Sequence, residues 1–202
     1  MVMAGTYNVA LVVGGKTIET KTLKIVADPE LQSDATRKQA TDLAMELHEI
    51  QKRGQAAADA LTSVDNQLTD LAAKVKDSKA PDAVKAQFDA FTKEFATVKA
   101  KFGVGAQPGG GAGGFGGGGG GGRGGGAPAD PANVFGRLGT LKGDLMGFGD
   151  MVSDSQLKTA TEVKAAMPKA VADANGALIK AGTLSQTLKK YDLTLTVPAP
   201  IK

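Results

Sequence analysis

The chain's single histidine, His48, is the first residue whose chemistry must be weighed. It lies between Glu46 and Glu49 in the stretch MELHEIQ. Adjacent residues of a helix point in different directions. A zinc-binding HExxH helix also needs a second histidine, where Lys52 stands instead. We therefore expect His48 to be a surface residue flanking a helix seam, and neither a metal ligand nor a catalytic base.

Other reactive groups are missing or badly placed for catalysis. The chain has no cysteine, which excludes thiolate catalysis, disulfides and most soft-metal sites. No serine lies in a GxSxG context. The helical region spreads its carboxylates over solvated faces, so no glycosidase-like acid pair can be nominated; they include Asp59, Asp65, Asp70, Asp77 and Asp89. We predict no catalytic residue, no metal ligand, no cofactor and no enzyme activity of this chain alone.

Charge and hydropathy limit the partners. The 24 Lys and Arg against 21 Asp and Glu give a net charge of +3, spread along the chain without a basic patch, which argues against nucleic acid. No apolar run reaches the roughly 18 residues that suggest a membrane span. The beginning, MVMAGTYNVALVVGG, lacks a basic segment, so we do not expect a signal peptide in this chain.

Residues 1–29 predict a β-hairpin. The first strand alternates in polarity, and its large apolar members are Tyr7, Val9, Leu11 and Val13. Gly14-Gly15 supplies the positive φ angles of a tight turn. Ile18 continues the return strand, but Leu23 and Ile25 have the opposite parity, so we expect a bulge near Thr20-Lys21. Apolar residues then fall on both faces. A lone hairpin is marginal in water, so we interpret it as the remnant of a β-sandwich domain whose other strands lie upstream; docking on the helices is the alternative.

The remainder predicts a mainly α fold with two long amphipathic helical hairpins in an antiparallel bundle. In the first hairpin, residues 30–102, apolar residues recur at steps of four and three. They are Leu43, Leu47, Ile50, Gly54, Ala57, Leu61, Val64, Leu68, Leu71 and Val75, then Val84, Phe88, Phe91, Phe95, Val98 and Phe102. Pro81 marks the turn between the two arms. The phenylalanine row could line an apolar slot, but we expect it to form the core.

Residues 103–130 contain 17 glycines in 28 positions and predict a flexible linker. One Arg and one Phe are too few for an RNA-binding segment. The second helical hairpin, residues 131–192, begins with Asp130-Pro131 as the predicted cap. It breaks again at Ser153-Asp154-Ser155, which we predict to be a turn and the N-cap of the last helix. Pro168 should kink its last helix. Residues 193–202 form an extended tail.

If the two hairpins pack up-down-up-down, the long first and last helices lie side by side. Their overhangs, residues 34–54 and about 178–190, would then cover each other at one end. Gly54 would make room for the rings of the second helix. This arrangement returns the carboxyl tail to the amino-terminal strands, and we expect residues 193–197 to extend along or near them.

The layout resembles the carboxyl-terminal region of secreted bacterial proteins with BNR/sialidase-type, sortilin-like β-propellers, which are commonly labelled glycosyl hydrolases. The specific part of the likeness is GTYNVALVVGGKTIETKTLKIVADPE, which resembles the end of an immunoglobulin-like β-domain after the propeller. The resemblance implies an exported parent protein, periplasmic or extracellular. It carries no catalytic residue over to this chain, because the chemistry of such a family would belong to the propeller.

These observations favour a non-catalytic structural and interaction module, the accessory carboxyl-terminal region of a larger exported β-propeller protein. Its expected partner is a protein: the propeller or another chain. One alternative is an accessory part of a glycosyl hydrolase. The other is a coiled-coil homo-oligomer, in which the seam around Leu43, Leu47 and Ile50 pairs between chains.

Overall fold

The computed structural model describes residues 4–26, 34–105, 130–147 and 151–201. Two strands precede four helices, so the predicted mainly α class with a leading β-hairpin is confirmed. The elements are β1 (Gly5–Val13), β2 (Lys16–Ile25), α1 (Asp34–Asp77), α2 (Asp82–Ala100), α3 (Val134–Gly147) and α4 (Asp154–Lys189).

Strands β1 and β2 pair antiparallel around the predicted glycine turn. Gly14 and Gly15 have φ angles of 57° and 77°, both in the left-handed region, as a tight hairpin turn requires. The bulge lies between Leu11 and Val12 of β1, where Leu11 pairs with Glu19 and Val12 with Thr17. Ile18 is therefore the extra residue, and the predicted bulge near Thr20-Lys21 was placed too far along the strand.

Helix α1 has 44 residues and is about 66 Å long at 1.5 Å per residue. Its predicted seam is confirmed: Leu47, Leu61 and Val64 are fully buried, whereas Leu43 and Ile50 at its amino-terminal end are partly buried against the same core. The phenylalanine row of α2 is also core, since Phe88, Phe91 and Phe95 are buried. Two lysine contacts join the helices antiparallel: Lys85 to the Lys76 carbonyl at 2.8 Å, and Lys99 to Asp65 at 2.7 Å.

Helix α3 continues the path of α2. The Phe135 amide donates to the Lys101 carbonyl at 3.1 Å, and the rings of Phe102 and Phe135 lie 6.4 Å apart between centroids. The two helices do not pack side by side; each lies along a different part of α1. Gly54 of α1 makes room for Phe135 of α3, because a Cβ at Gly54 would be 2.7 Å from that ring. Our assignment of this space to the rings of α2 was wrong.

Helix α4 runs parallel to α1, and not antiparallel as the up-down-up-down packing required. Lys164 contacts Glu46 at 2.6 Å, so the beginnings of the two helices lie together. Lys101 and Asp173 join α4 to the end of α2 at 2.6 Å. The bundle therefore has three arms: α1, then α2 followed by α3 in the opposite direction, then α4. The overhangs of α1 and α4 do not cover each other, because α3 covers the first half of α1.

The helix caps were predicted in one case and misplaced in the other. Ser153 caps α4 in a capping box with Gln156, as its sequence context indicates. For α3 the cap is Asn133, whose Oδ1 accepts from the Gly136 amide at 2.7 Å. Asp130 instead accepts from the Ala132 amide in the preceding turn. Helix α4 continues unbroken through Pro168.

The carboxyl tail packs on the helices and not on the strands, so that expectation was wrong. Leu193 and Leu195 are buried in the bundle core. The side-chain amide of Gln67 donates to the Thr196 carbonyl at 2.8 Å and accepts from the Thr196 amide at 2.7 Å. Asn175 makes the same double contact with the main chain of Ile201, at 3.0 and 2.8 Å. These two amides fix the tail alongside α1 and α4.

Candidate functional site

The β-hairpin has one apolar and one polar face. Since opposed residues share a face, the register groups six large apolar residues on one side: Tyr7, Val9, Leu11, Val13, Leu23 and Ile25. The same side also carries Lys16, Glu19 and Lys21, which pair with Val13, Leu11 and Val9. We call the six apolar residues the apolar face. The opposite side carries Thr6, Asn8, Ala10, Val12, Thr17, Thr20, Thr22 and Lys24. Ala10 and Val12 lie on this opposite side, so apolar residues occur on both faces as expected, although the bulge at Ile18 gathers most of the large ones on one face.

The apolar face is open to solvent in this chain. Val9 is 52% exposed, Leu11 56% and Leu23 51%. Among the described elements, β1 and β2 contact only each other and none of the four helices. No contact among the described elements therefore supports the alternative in which the hairpin docks on the bundle. A two-stranded sheet with an uncovered apolar face is a feature of interaction surfaces.

Charge on the hairpin is biased toward the positive sign. The two strands contain three basic residues, Lys16, Lys21 and Lys24, and one acidic residue, Glu19. Lys21 and Glu19 are 3.3 Å apart, directly opposite Val9 and Leu11 of the apolar face, and both are well exposed. Such an exposed pair contributes little to stability. A partner with acidic residues around an apolar centre would complement this surface.

His48 is not the free surface residue that we expected. Its ring is half-buried, and its Nδ1 lies 2.9 Å from Nζ of Lys142 in α3. The same ammonium donates to Oε1 of Gln51 at 2.8 Å, and Gln51 is only 7% exposed. Sequence separation hid this cluster, because Lys142 lies 94 residues from His48. No spacing motif connects positions so far apart; the antiparallel contact of α1 and α3 does.

A cavity opens beside this cluster. It has a volume of about 250 Å³ and lies between the beginning of α1 and the end of α3. Its polar lining includes His48 and Lys142. The apolar lining consists of Ala44, Met45, Leu145 and Met146.

The carboxylates form separate contacts and not a catalytic pair. Asp65 accepts two hydrogen bonds from Lys99, at 2.7 and 2.8 Å. Asp59 accepts from Gln55 at 2.8 Å. Lys52, bonded to Glu49, lowers the pKa of that exposed carboxyl group below its usual range. The environment of Glu49 is therefore the opposite of the raised pKa that a general acid needs.

The remaining features are possible metal ligands, possible membrane spans and two segments that the structure does not describe. Within the part of the chain that the structure describes, no three His, Asp or Glu side chains are grouped so that they could hold a metal ion. None of the described helices combines the length and the apolar character of a membrane span. The corner Asp28-Pro29-Glu30 and residues 106–129 of the glycine-rich segment lie outside the described residues.

Compared with protein-family models, with curated proteins and with solved structures, the chain matches none of them.

Proposed function

We propose that this chain is a non-catalytic interaction module, in which the bundle is a rigid body and the hairpin presents its apolar face to a β-sheet of another domain. The observation that carries the proposal is the exposure of Val9, Leu11 and Leu23 on two strands that contact none of the described helices. A sheet with one apolar and one polar face is what each layer of a β-sandwich provides.

The partner that suits this surface is a sheet whose own apolar face is incomplete. Strands of the two layers would pack face to face about 10 Å apart. The likeness of residues 5–29 to the end of an immunoglobulin-like β-domain supports this choice of partner. On the same likeness we propose a larger, exported parent protein with a β-propeller, whose accessory region this chain would be.

Self-association through helices is less well supported. Leu47 is fully buried, and Leu43 and Ile50 are partly buried within one chain, because α3 and α4 pack there. The seam needs no second chain to cover it. A hydrolase function is also less well supported, because the carboxylates described above do not form the acid pair that glycoside hydrolysis needs.

Site-specific photo-crosslinking in the native host tests the proposal. A benzophenone side chain replaces Val9 on the apolar face or, as the matched control, Thr22 on the polar face. We expect efficient crosslinks from position 9 to one β-strand segment, identified by mass spectrometry, and few from position 22. Equal labelling from both positions, or crosslinks from position 9 only to the chain's own helices, would refute the proposal.

A further inference from the structure

Lys142 differs from most other basic residues that bridge two elements of the bundle. Five of those cations end on a carboxylate; the pairs are Lys99–Asp65, Lys101–Asp173, Arg137–Glu162, Lys164–Glu46 and Lys180–Glu94. Lys85 ends on a main-chain carbonyl at the exposed end of α1. Lys142 contacts an imidazole nitrogen of half-buried His48 and donates to the side-chain amide oxygen of buried Gln51. Its positive charge therefore has no anionic partner among the described residues.

The hydrogen bonds of this ammonium leave capacity for a ligand. An ammonium group has three donors and no acceptor. Two of them are directed to Nδ1 of His48 and Oε1 of Gln51. To accept at Nδ1 the imidazole must be neutral and carry its proton on Nε2. The Nε2–H of His48 points away from this ammonium, so the one remaining N–H of Lys142 is the donor available to a ligand; both residues line the cavity.

Apart from Thr41, the rest of the cavity is apolar, and the cavity is of limited size. Ala44, Met45, Leu145 and Met146 form its walls. The volume of about 250 Å³ is below the roughly 300–1,000 Å³ of pockets that hold drug-sized ligands, so the cavity suits a small ligand. Methionine side chains adapt to irregular apolar ligands. Met45 and Met146 are partly exposed, at 58% and 48%, and lie where a ligand would enter.

We propose that this cavity binds a monocarboxylate with a short unbranched apolar chain, of about the size of hexanoate. The carboxylate accepts from the remaining N–H of Lys142, and it supplies the negative charge that the cluster lacks. The chain lies between Met45 and Met146. A half-buried ammonium with neutral partners gains most from such a charge-assisted hydrogen bond, and the apolar walls exclude a fully hydrated inorganic anion.

Methyl NMR of the whole chain, labelled with ¹³C at its methionine methyl groups, tests this site. On titration with sodium hexanoate, we expect saturable shifts of the Met45 and Met146 resonances. Met151 is exposed and Met167 is buried near Pro168, away from the cavity, so neither should shift. Hexanol and inorganic phosphate, each lacking half of the required chemistry, should give weak or no saturation. Linear shifts of all methionines, or equal binding of hexanol, would overturn the proposal.

Two matched variants separate the charge from general effects. Lys142→Met should weaken hexanoate binding by about tenfold or more, as expected for the loss of a hydrogen bond to a charged group. Lys169→Met removes the same charge from an exposed position of α4 and should leave binding unchanged. Unaltered binding by folded Lys142→Met would contradict the assignment. If that variant does not fold, as its melting curve would show, the comparison of hexanoate with hexanol on the unmodified chain decides.

Discussion

Substitution of Gly54 by alanine probes the contact that defines the composite second arm. A Cβ at this position would lie 2.7 Å from Cδ2 of Phe135 and 3.2 Å from Sδ of Met167. Favourable carbon contacts begin near 3.5 Å, so the ring must move. Alanine gains about 1 kcal/mol in helix propensity over glycine, whereas overpacking costs about 1–3 kcal/mol. We expect a net loss of about 0–2 kcal/mol in the free energy of unfolding.

The same substitution should change sign when the ring is removed. In a Phe135→Ala background, Gly54→Ala meets no aromatic atom and should stabilise the protein by up to about 1 kcal/mol. Urea denaturation of the four variants gives the coupling energy, expected at about 1–3 kcal/mol. Gly143→Ala is the control: its Cβ would meet nothing within 4 Å, so it should act alike in both backgrounds. If Gly54→Ala changed the free energy of unfolding equally with and without the Phe135 ring, α3 would not lie over this part of α1.

Three further substitutions test other parts of the bundle by urea denaturation. Phe95→Ala removes a fully buried ring and should cost about 3–5 kcal/mol, whereas exposed Thr97→Ala should stay within about 0.5 kcal/mol. Ser153→Ala removes the cap of α4 and should cost about 0.5–2 kcal/mol. Gln67→Leu breaks both bonds to Thr196 and should cost about 1–3 kcal/mol while accelerating amide exchange at Thr196; unchanged exchange there would show that Gln67 does not hold the tail.

The helices and the core could be predicted from the sequence because both depend on local periodicity. Apolar residues every three or four positions place Leu47, Leu61 and Phe95 on one face of their helices whatever the neighbouring element is. The turn at Gly14-Gly15 and the cap at Ser153 are similarly local, since each depends on a few adjacent residues.

The packing of the elements could not be predicted, because it depends on which faces meet. A seam of leucines accepts either a parallel or an antiparallel neighbour. Only contacts such as Glu46 with Lys164 distinguish the two. A long glycine-rich segment allows α3 to lie beside α2 or to follow it. Because the side chain of Phe135 fits over Gly54 of α1, α3 follows α2 and does not lie beside it.

The candidate sites could not be predicted either, because they depend on contacts between residues that are distant in the sequence or on the exact position of a bulge. The Lys142 cluster joins residues from α1 and α3 that no motif connects. On the hairpin, a bulge two residues from its predicted position changes which side chains share a face. One inserted residue, Ile18, therefore gathers most of the large apolar residues of the two strands on one side.

The claim that the hairpin serves a partner and not the bundle is tested most directly by thermal unfolding of one variant of the whole chain. Val9, Leu11 and Leu23 are each replaced by threonine, which removes apolar surface and keeps β-propensity. We predict a change of less than about 2 °C in the melting temperature of the helices, equivalent to under about 1 kcal/mol. The matched core substitution Leu61→Thr should lower it by several degrees. A comparable fall in the hairpin variant would show that the apolar face is part of the bundle's own core, which would contradict the account.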